Sequence, residues 1–428
     1  MLRTFSLLLL FSLLSSCTVI YRGVRYGGAD VDDHNVFPTY DIKENKEKYH
    51  FANSNLHPLD TIDIKWKYKE RQFHHIDSLL EMTTTRGFVV IRNDSILHEN
   101  YYRGYKKEDI STVFSVSKSV TSLLMGIAID EGYVSSTNDQ VTKYISELKK
   151  ADPTFQKLTI QDLLDMRSGI KFEENYGFNP FSKIARLYYG SNQMGVIKKL
   201  HFEHEPGTNH KYQSIDTAIL GIVIERATKR NLGQYFEEKV WKPLEMQNTA
   251  KWSLDSKRHQ SVKAYGGLSL SSIDLAKIGR LYLNDGVWNN QQVVSKEWVK
   301  KSLTTKVEND GYQDQWYSLN TSGRDENDNT FFSDSLTAQK LWEEKYRDKY
   351  PFYEVIKLEK KDYSEKYWEF DTDVKWKLKL YTNQYYALGI MRQILFIDPE
   401  KNTIFVRLGD SSDFGDYFTL IYNINKVL

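Results

Sequence analysis

Cysteine and proline are scarce in this chain: one Cys and 8 Pro in 428 residues. A lone thiol cannot close an internal disulfide, and structural zinc sites draw on several closely spaced Cys and His ligands, so packing must hold the fold. Charge of one sign is equally lacking, with 58 Lys+Arg against 57 Asp+Glu. There is no basic excess to attract a phosphate backbone, which argues against nucleic acid as a partner. Beyond residue 16 no apolar run approaches the ~18 residues that a membrane-crossing helix needs. What remains is a globular composition, 40% hydrophobic and 27% charged, rich in aromatics with 29 Tyr, 21 Phe and 9 Trp. The length suits two or three units of ~150 residues, or one large enzyme domain with an elaboration.

Residues 1–16 read as an export signal: Arg3, an apolar stretch from Phe5 to Leu14, then Ser15-Ser16. The stretch is too short to span a bilayer. Leu14-Ser15-Ser16-Cys17 resembles a bacterial lipobox, in which the cysteine is acylated after cleavage, and Cys17 is the only cysteine present. The expectation is an exported lipoprotein of the bacterial cell envelope, held to a membrane through Cys17.

Residues 17–60 are polar and irregular and read as a lipidated tether that drapes over a domain. The runs Gly87–Arg92 and Ser95–Tyr101, meeting at Asn93-Asp94, predict a hairpin, and a helix is expected just before them at Ile76–Met82. Small residues followed by a thick apolar stretch from Ser115 to Glu131, closed by Gly132, predict a buried helix. Further helices are expected at Thr159–Arg167, Thr217–Arg230, Leu232–Val240 and Ser272–Asn284. Gln393–Asp398 and Thr403–Leu408 predict a second hairpin, and Tyr417–Leu428 a closing helix. Strands at both ends around a helical middle give an α+β fold. Residues 61–132 and 262–428 would form the sheet domain and 133–261 a mainly helical insertion. The charged, aromatic stretch 309–384 reads as an elaboration able to roof a cleft.

Ser115-Val116-Ser117-Lys118 is a Ser-x-x-Lys motif. About two such matches are expected by chance in this length, and Ser146–Lys149 and Ser168–Lys171 fit equally well. Context favours Ser115, which stands where an extended Thr112-Val113-Phe114 enters the most apolar helix. There the i to i+3 spacing puts amine and hydroxyl on one face. A desolvated lysine can be pushed toward neutrality and take the serine proton.

With four further segments in order, the chain resembles the penicillin-recognising serine hydrolases. Phe114–Ser119 is similar to the nucleophile segment of class C β-lactamases and related esterases. Leu158–Gly169 resembles the entry to their helical domain. Glu205–Thr208 with Tyr212-Gln213-Ser214 resembles the stretch bearing their second element, Tyr-x-Asn or Tyr-x-Ser. Gly266–Ser271, running on through Gly286-Val287-Trp288, is similar to the 6-aminohexanoate-dimer hydrolase branch. The resemblance implies a β-lactamase/transpeptidase-like fold: an antiparallel sheet from both chain ends, flanked by helices, with the helical domain inserted.

It also implies roles. Ser115 would be the nucleophile, Lys118 its base and Tyr212 the proton relay, with no cofactor and no metal. The main-chain N–H groups of Ser115 and Ile390 would form the oxyanion hole, and Ser214, Tyr176, Gly389 and Arg392 would face a small-molecule or peptide substrate. The third element departs from the pattern. Many relatives carry a cation two residues before the glycine, whereas here the stretch reads Ala387-Leu388-Gly389, with Arg392 three residues on. Main-chain donors need no particular side chain, so hydrolysis can survive, while recognition of a substrate carboxylate is put in doubt. Three readings stay open: an esterase or amidase, a catalytically impaired relative that binds envelope peptides or peptidoglycan, and a D-Ala-directed cell-wall peptidase. His74, His75, His201, His204 and His210 suggest metal ligands, but their acidic neighbours fit a solvated loop better.

Overall fold

A computed structural model describes residues 18–174, 179, 182–360, 374–411, 414–415 and 417–428. The signal segment, Cys17 and Tyr176 therefore lie outside the described residues. Six strands carry the architecture: β1 (Thr85–Arg92), β2 (Ser95–Tyr101), β3 (Trp316–Ser322), β4 (Val374–Gly389), β5 (Gln393–Asp398) and β6 (Thr403–Gly409). They lie side by side in the order β3-β4-β5-β6-β1-β2, all antiparallel. The hairpins β1–β2 and β5–β6, from opposite ends of the chain, thus meet at the β6–β1 seam. The β1–β2 turn is tight because Asn93 and Asp94 both take positive φ, 50° and 59°, as two-residue hairpin turns demand.

The central strands are apolar without interruption because both faces are covered. In β1, Val89 and Ile91 enter one core while Phe88 and Val90 enter another. The same period of two puts Leu395 and Ile397 of β5 on the first face and Ile394 and Phe396 on the second. On the first face lie α1 (Val116–Asp130), with α2 (Ser214–Thr228) packed upon it, and α3 (Ser272–Leu283); on the second lies α4 (Tyr417–Val427). Residues of α1, α2 and α3 belong to the first core, and Tyr417, Leu420, Ile421 and Ile424 of α4 to the second.

Two expected helices differ at their ends. The one expected over Thr159–Arg167 spans only Ile160–Leu164, opened by a capping box between Thr159 and Asp162. Met166, at φ 56°, turns the chain out of helix. The one expected from Thr217 starts at Ser214 and stops where Lys229 goes left-handed. The stretch after Cys17, read as irregular, opens with a helix at Thr18–Tyr26. Residues 309–384 add β3 and β4 to the sheet, with Tyr353–Glu359 pairing along β4. Among the described residues, no helix is long and apolar enough to cross a membrane.

Candidate active site

Ser115 is the N-cap of α1, one residue beyond Phe114, whose φ of 46° kinks the chain sharply into the helix. One helical turn on, Lys118 points back and is almost wholly buried, at 1% exposure. Its Nζ lies 2.8 Å from Ser115 Oγ, 3.0 Å from Ser214 Oγ and 2.9 Å from the carbonyl oxygen of Tyr265. It also stands over the Tyr212 ring, 5.1 Å from the centroid. Burial pushes the amine down from 10.5 to about 8, against the opposing fields of Glu174 and Asp216.

The polarity of this cluster follows from its hydrogens. A neutral amine has two N–H bonds and one lone pair. The Tyr265 carbonyl can only accept. Ser214 Oγ gives its own hydrogen to Glu174 Oε1 at 2.6 Å, so toward Lys118 it also accepts. Ser115 is then the one hydroxyl of the three partners with a proton to give, and the lone pair of a neutral Lys118 faces it. Glu174, which also accepts from the Ser214 main-chain N–H, is the residue that sequence reading missed. Nothing in its loop sets one carboxylate apart from its neighbour Glu173.

The third element is shaped by backbone rather than side chains. A Cβ on Gly389 would fall under 3.0 Å from the Val113 carbonyl oxygen, so only glycine lets the end of β4 lie against the chain entering α1. That close approach brings Ile390 into the lining of the same cavity as Ser115. Beyond it Met391 and Arg392 both take positive φ, 59° and 60°. This strained pair is held from beneath by Arg407, fully buried, which donates to the carbonyls of Met391 at 2.7 Å and Arg392 at 2.9 Å. Ala387 is buried in the first core beside α1 residues. Arg392 is absent from the cavity lining and instead lies beside Tyr386, whose phenol burial raises to about 12 against the pull of that guanidinium.

The other motif matches fall elsewhere. Ser146 and Lys149 sit in a 3-10 turn, and Ser168 donates to Asp216 at 2.8 Å while Lys171 is exposed. Tyr212 belongs to an aromatic ladder: its ring is 6.2 Å from Tyr317 of β3, which stacks at 5.1 Å on Tyr386 of β4. Stretch 309–384 thus reaches the second element directly. Of the histidines, His74 and His201 pair with Asp63 and Asp152, and His210 with the Asp165 carbonyl. Among the described residues no three His, Cys, Asp or Glu side chains cluster to hold a metal.

A serine–lysine pair thus stands at the head of a buried helix that packs on an antiparallel sheet. Residues 75–426 match the Beta-lactamase family model, and the chain belongs to that family. It is 29% identical over 238 residues to the 6-aminohexanoate-dimer hydrolase of Paenarthrobacter ureafaciens, covering 53% of this chain and 59% of that protein. It is 25% identical over 210 residues to a Salmonella agona protein named "Putative D-alanyl-D-alanine carboxypeptidase", covering 42% of this chain and 48% of that one. The chain thus spans about half the length of these curated relatives. A solved structure described as "Putative 6-aminohexanoate-dimer hydrolase from Bacillus anthracis" superimposes with a TM-score of 0.68 at 18% identity, over 91% of this chain and 90% of that one. The fold is therefore β-lactamase/transpeptidase-like.

Proposed function

We propose that the protein is a serine hydrolase that cleaves an ester or amide through an acyl-enzyme on Ser115. The observation that carries this is the Lys118 amine, buried, lowered to about 8 and 2.8 Å from Ser115 Oγ. Neutral Lys118 takes the hydroxyl proton as Ser115 attacks the carbonyl carbon. Negative charge gathers on the carbonyl oxygen, and the main-chain N–H groups of Ser115 and Ile390 receive it. Tyr212, packed against Lys118, passes the proton to the leaving group. Water, activated by the same amine, then releases the acid and restores Ser115. Ser214 and Glu174 hold the amine in register, Gly389 sets the Ile390 backbone in place, and no cofactor takes part.

A neutral substrate suits the site best. Among the described residues lining the cavity there is no Lys, Arg, Asp or Glu, so a substrate carboxylate would shed its water without gaining a cation. That disfavours the D-Ala-directed reading. On this proposal the protein is exported and lipid-anchored at Cys17 in the cell envelope.

The test is covalent labelling of the protein from Thr18 onward with a fluorophosphonate, read by intact mass. One adduct is expected, abolished in Ser115→Ala and Lys118→Ala. A folded protein that takes up no probe would favour the reading as a non-catalytic binder of envelope peptides.

A further inference from the structure

The cavity at Ser115 has a volume of about 330 Å³, and part of its wall comes from far outside the catalytic elements. Val19, Gly23, Gly27, Gly28 and Ala29 line it together with Ser115 and Ile390. Facing them is the helix Lys183–Tyr189, which contributes Ile184, Ala185 and two tyrosines. The segment is fastened in place. Arg22 donates to the carbonyls of Tyr189, Gly190 and Asp255, each at 3.1 Å. Tyr189 returns a bond from its hydroxyl to the Gly27 carbonyl at 2.8 Å. Further along, Asp33 accepts from the Tyr188 hydroxyl at 2.5 Å, and buried Lys263 lies 2.9 Å over the Phe37 ring.

An irregular tether has no reason to dock a half-buried arginine head on three carbonyls. The surface it presents to the cavity is aliphatic or glycine, and the opposite wall is mainly aliphatic and aromatic, with Asn179 and Ser182 as its uncharged polar members. Such a lining rewards apolar area and penalises charge.

Building on the acyl-enzyme reading, we propose that residues Val19–Ala29 form one wall of the acyl pocket, which selects substrates whose acyl group is apolar and uncharged. The segment is then a specificity-determining part of the enzyme as well as a linker. Arg22 acts as a positioning residue, setting the wall through the carbonyls it grips and touching no reacting atom.

Steady-state hydrolysis of p-nitrophenyl esters tests this, with active serine titrated by fluorophosphonate in every sample. For the chain from Thr18, kcat/KM should rise about fourfold per added methylene, about fifteenfold from acetate to butyrate. The hemisuccinate and 4-aminobutyrate esters, of similar length but charged, should fall below acetate. Val19→Asp, and separately Arg22→Ala, should each compress the butyrate-to-acetate ratio at least fivefold while the serine still titrates. Gly28→Phe, at a position where a Cβ meets nothing within 4 Å, should compress it by filling space and so guards against a misfolded variant. Full labelling with a flat chain-length profile, or a ratio unmoved by all three variants, overturns the pocket assignment and leaves the acyl-enzyme reading standing. Failure of Ser115 to label overturns both.

Discussion

The buried amine of Lys118 makes a quantitative demand on pH dependence. Its fall from 10.5 to about 8 corresponds to about 3 kcal/mol in favour of the neutral form. At pH 7 a group with that pKa is neutral about one time in eleven, and at pH 9 about ten times in eleven. If the neutral amine is the base, kcat/KM for an uncharged ester should rise about tenfold from pH 7 to pH 9 and level above. Glu174 is the first opposing field on that amine, so Glu174→Gln should move the rising limb to lower pH. Stability should follow in the same window. The folded pKa lies below the unfolded one, so between about 8 and 10.5 the unfolded chain binds more protons and stability grows as pH rises. The assay is a pH–rate profile for the wild type and Glu174→Gln, with Lys118→Ala as control. A profile flat from pH 6 to 10 would refute the role of Lys118. So would a limb that Glu174→Gln leaves in place or drives upward.

Gly389→Ala should cost about 100-fold or more in kcat, the usual scale for a lost oxyanion donor, with far-ultraviolet circular dichroism unchanged; unaltered kcat would remove Ile390 from the mechanism. Asp216, wholly buried and raised well above 3.8 by desolvation, holds its proton more tightly in the folded chain than in the unfolded one, so stability falls as pH climbs past 3.8. Asp216→Asn should therefore raise stability at pH 7 by about 1 kcal/mol, with the advantage fading toward pH 4 in thermal melts. A Cβ on Gly126 of α1 would fall under 3.0 Å from the Trp298 ring; Gly126→Ala should cost roughly 1–3 kcal/mol by overpacking in urea unfolding.

Much of this was open to reading because the local signals are strong. The hairpins declared themselves through doubly buried strands, whose apolar runs had no other reason to exist, and through Asn93-Asp94 at a turn needing positive φ. The head of α1 was readable because small residues precede a long apolar stretch. The strands within 309–384 were harder. Val374–Leu380 alternates Lys with Val, Trp and Leu, a period of two that marks a half-exposed strand, yet the aromatics around it also suit short helices. The helix Thr18–Tyr26 carried no adequate signal: at nine residues it is too short to be stable alone, and the carbonyls that hold Arg22 are remote in sequence. Glu174 escaped for the same reason, since its meaning lies in Ser214, forty positions away.

That docked N-terminal segment changes what counts as the catalytic unit. The family match begins at residue 75, and a soluble preparation cut there would seem to keep every motif residue. It would also strip Asp33 from Tyr188 and Phe37 from Lys263, laying a buried amine open behind Tyr188, which lines the Ser115 cavity. Such a trimmed enzyme would meet its substrates through a wider and wetter entrance, and specificity profiles collected on it would describe a different catalyst from the one the full chain builds.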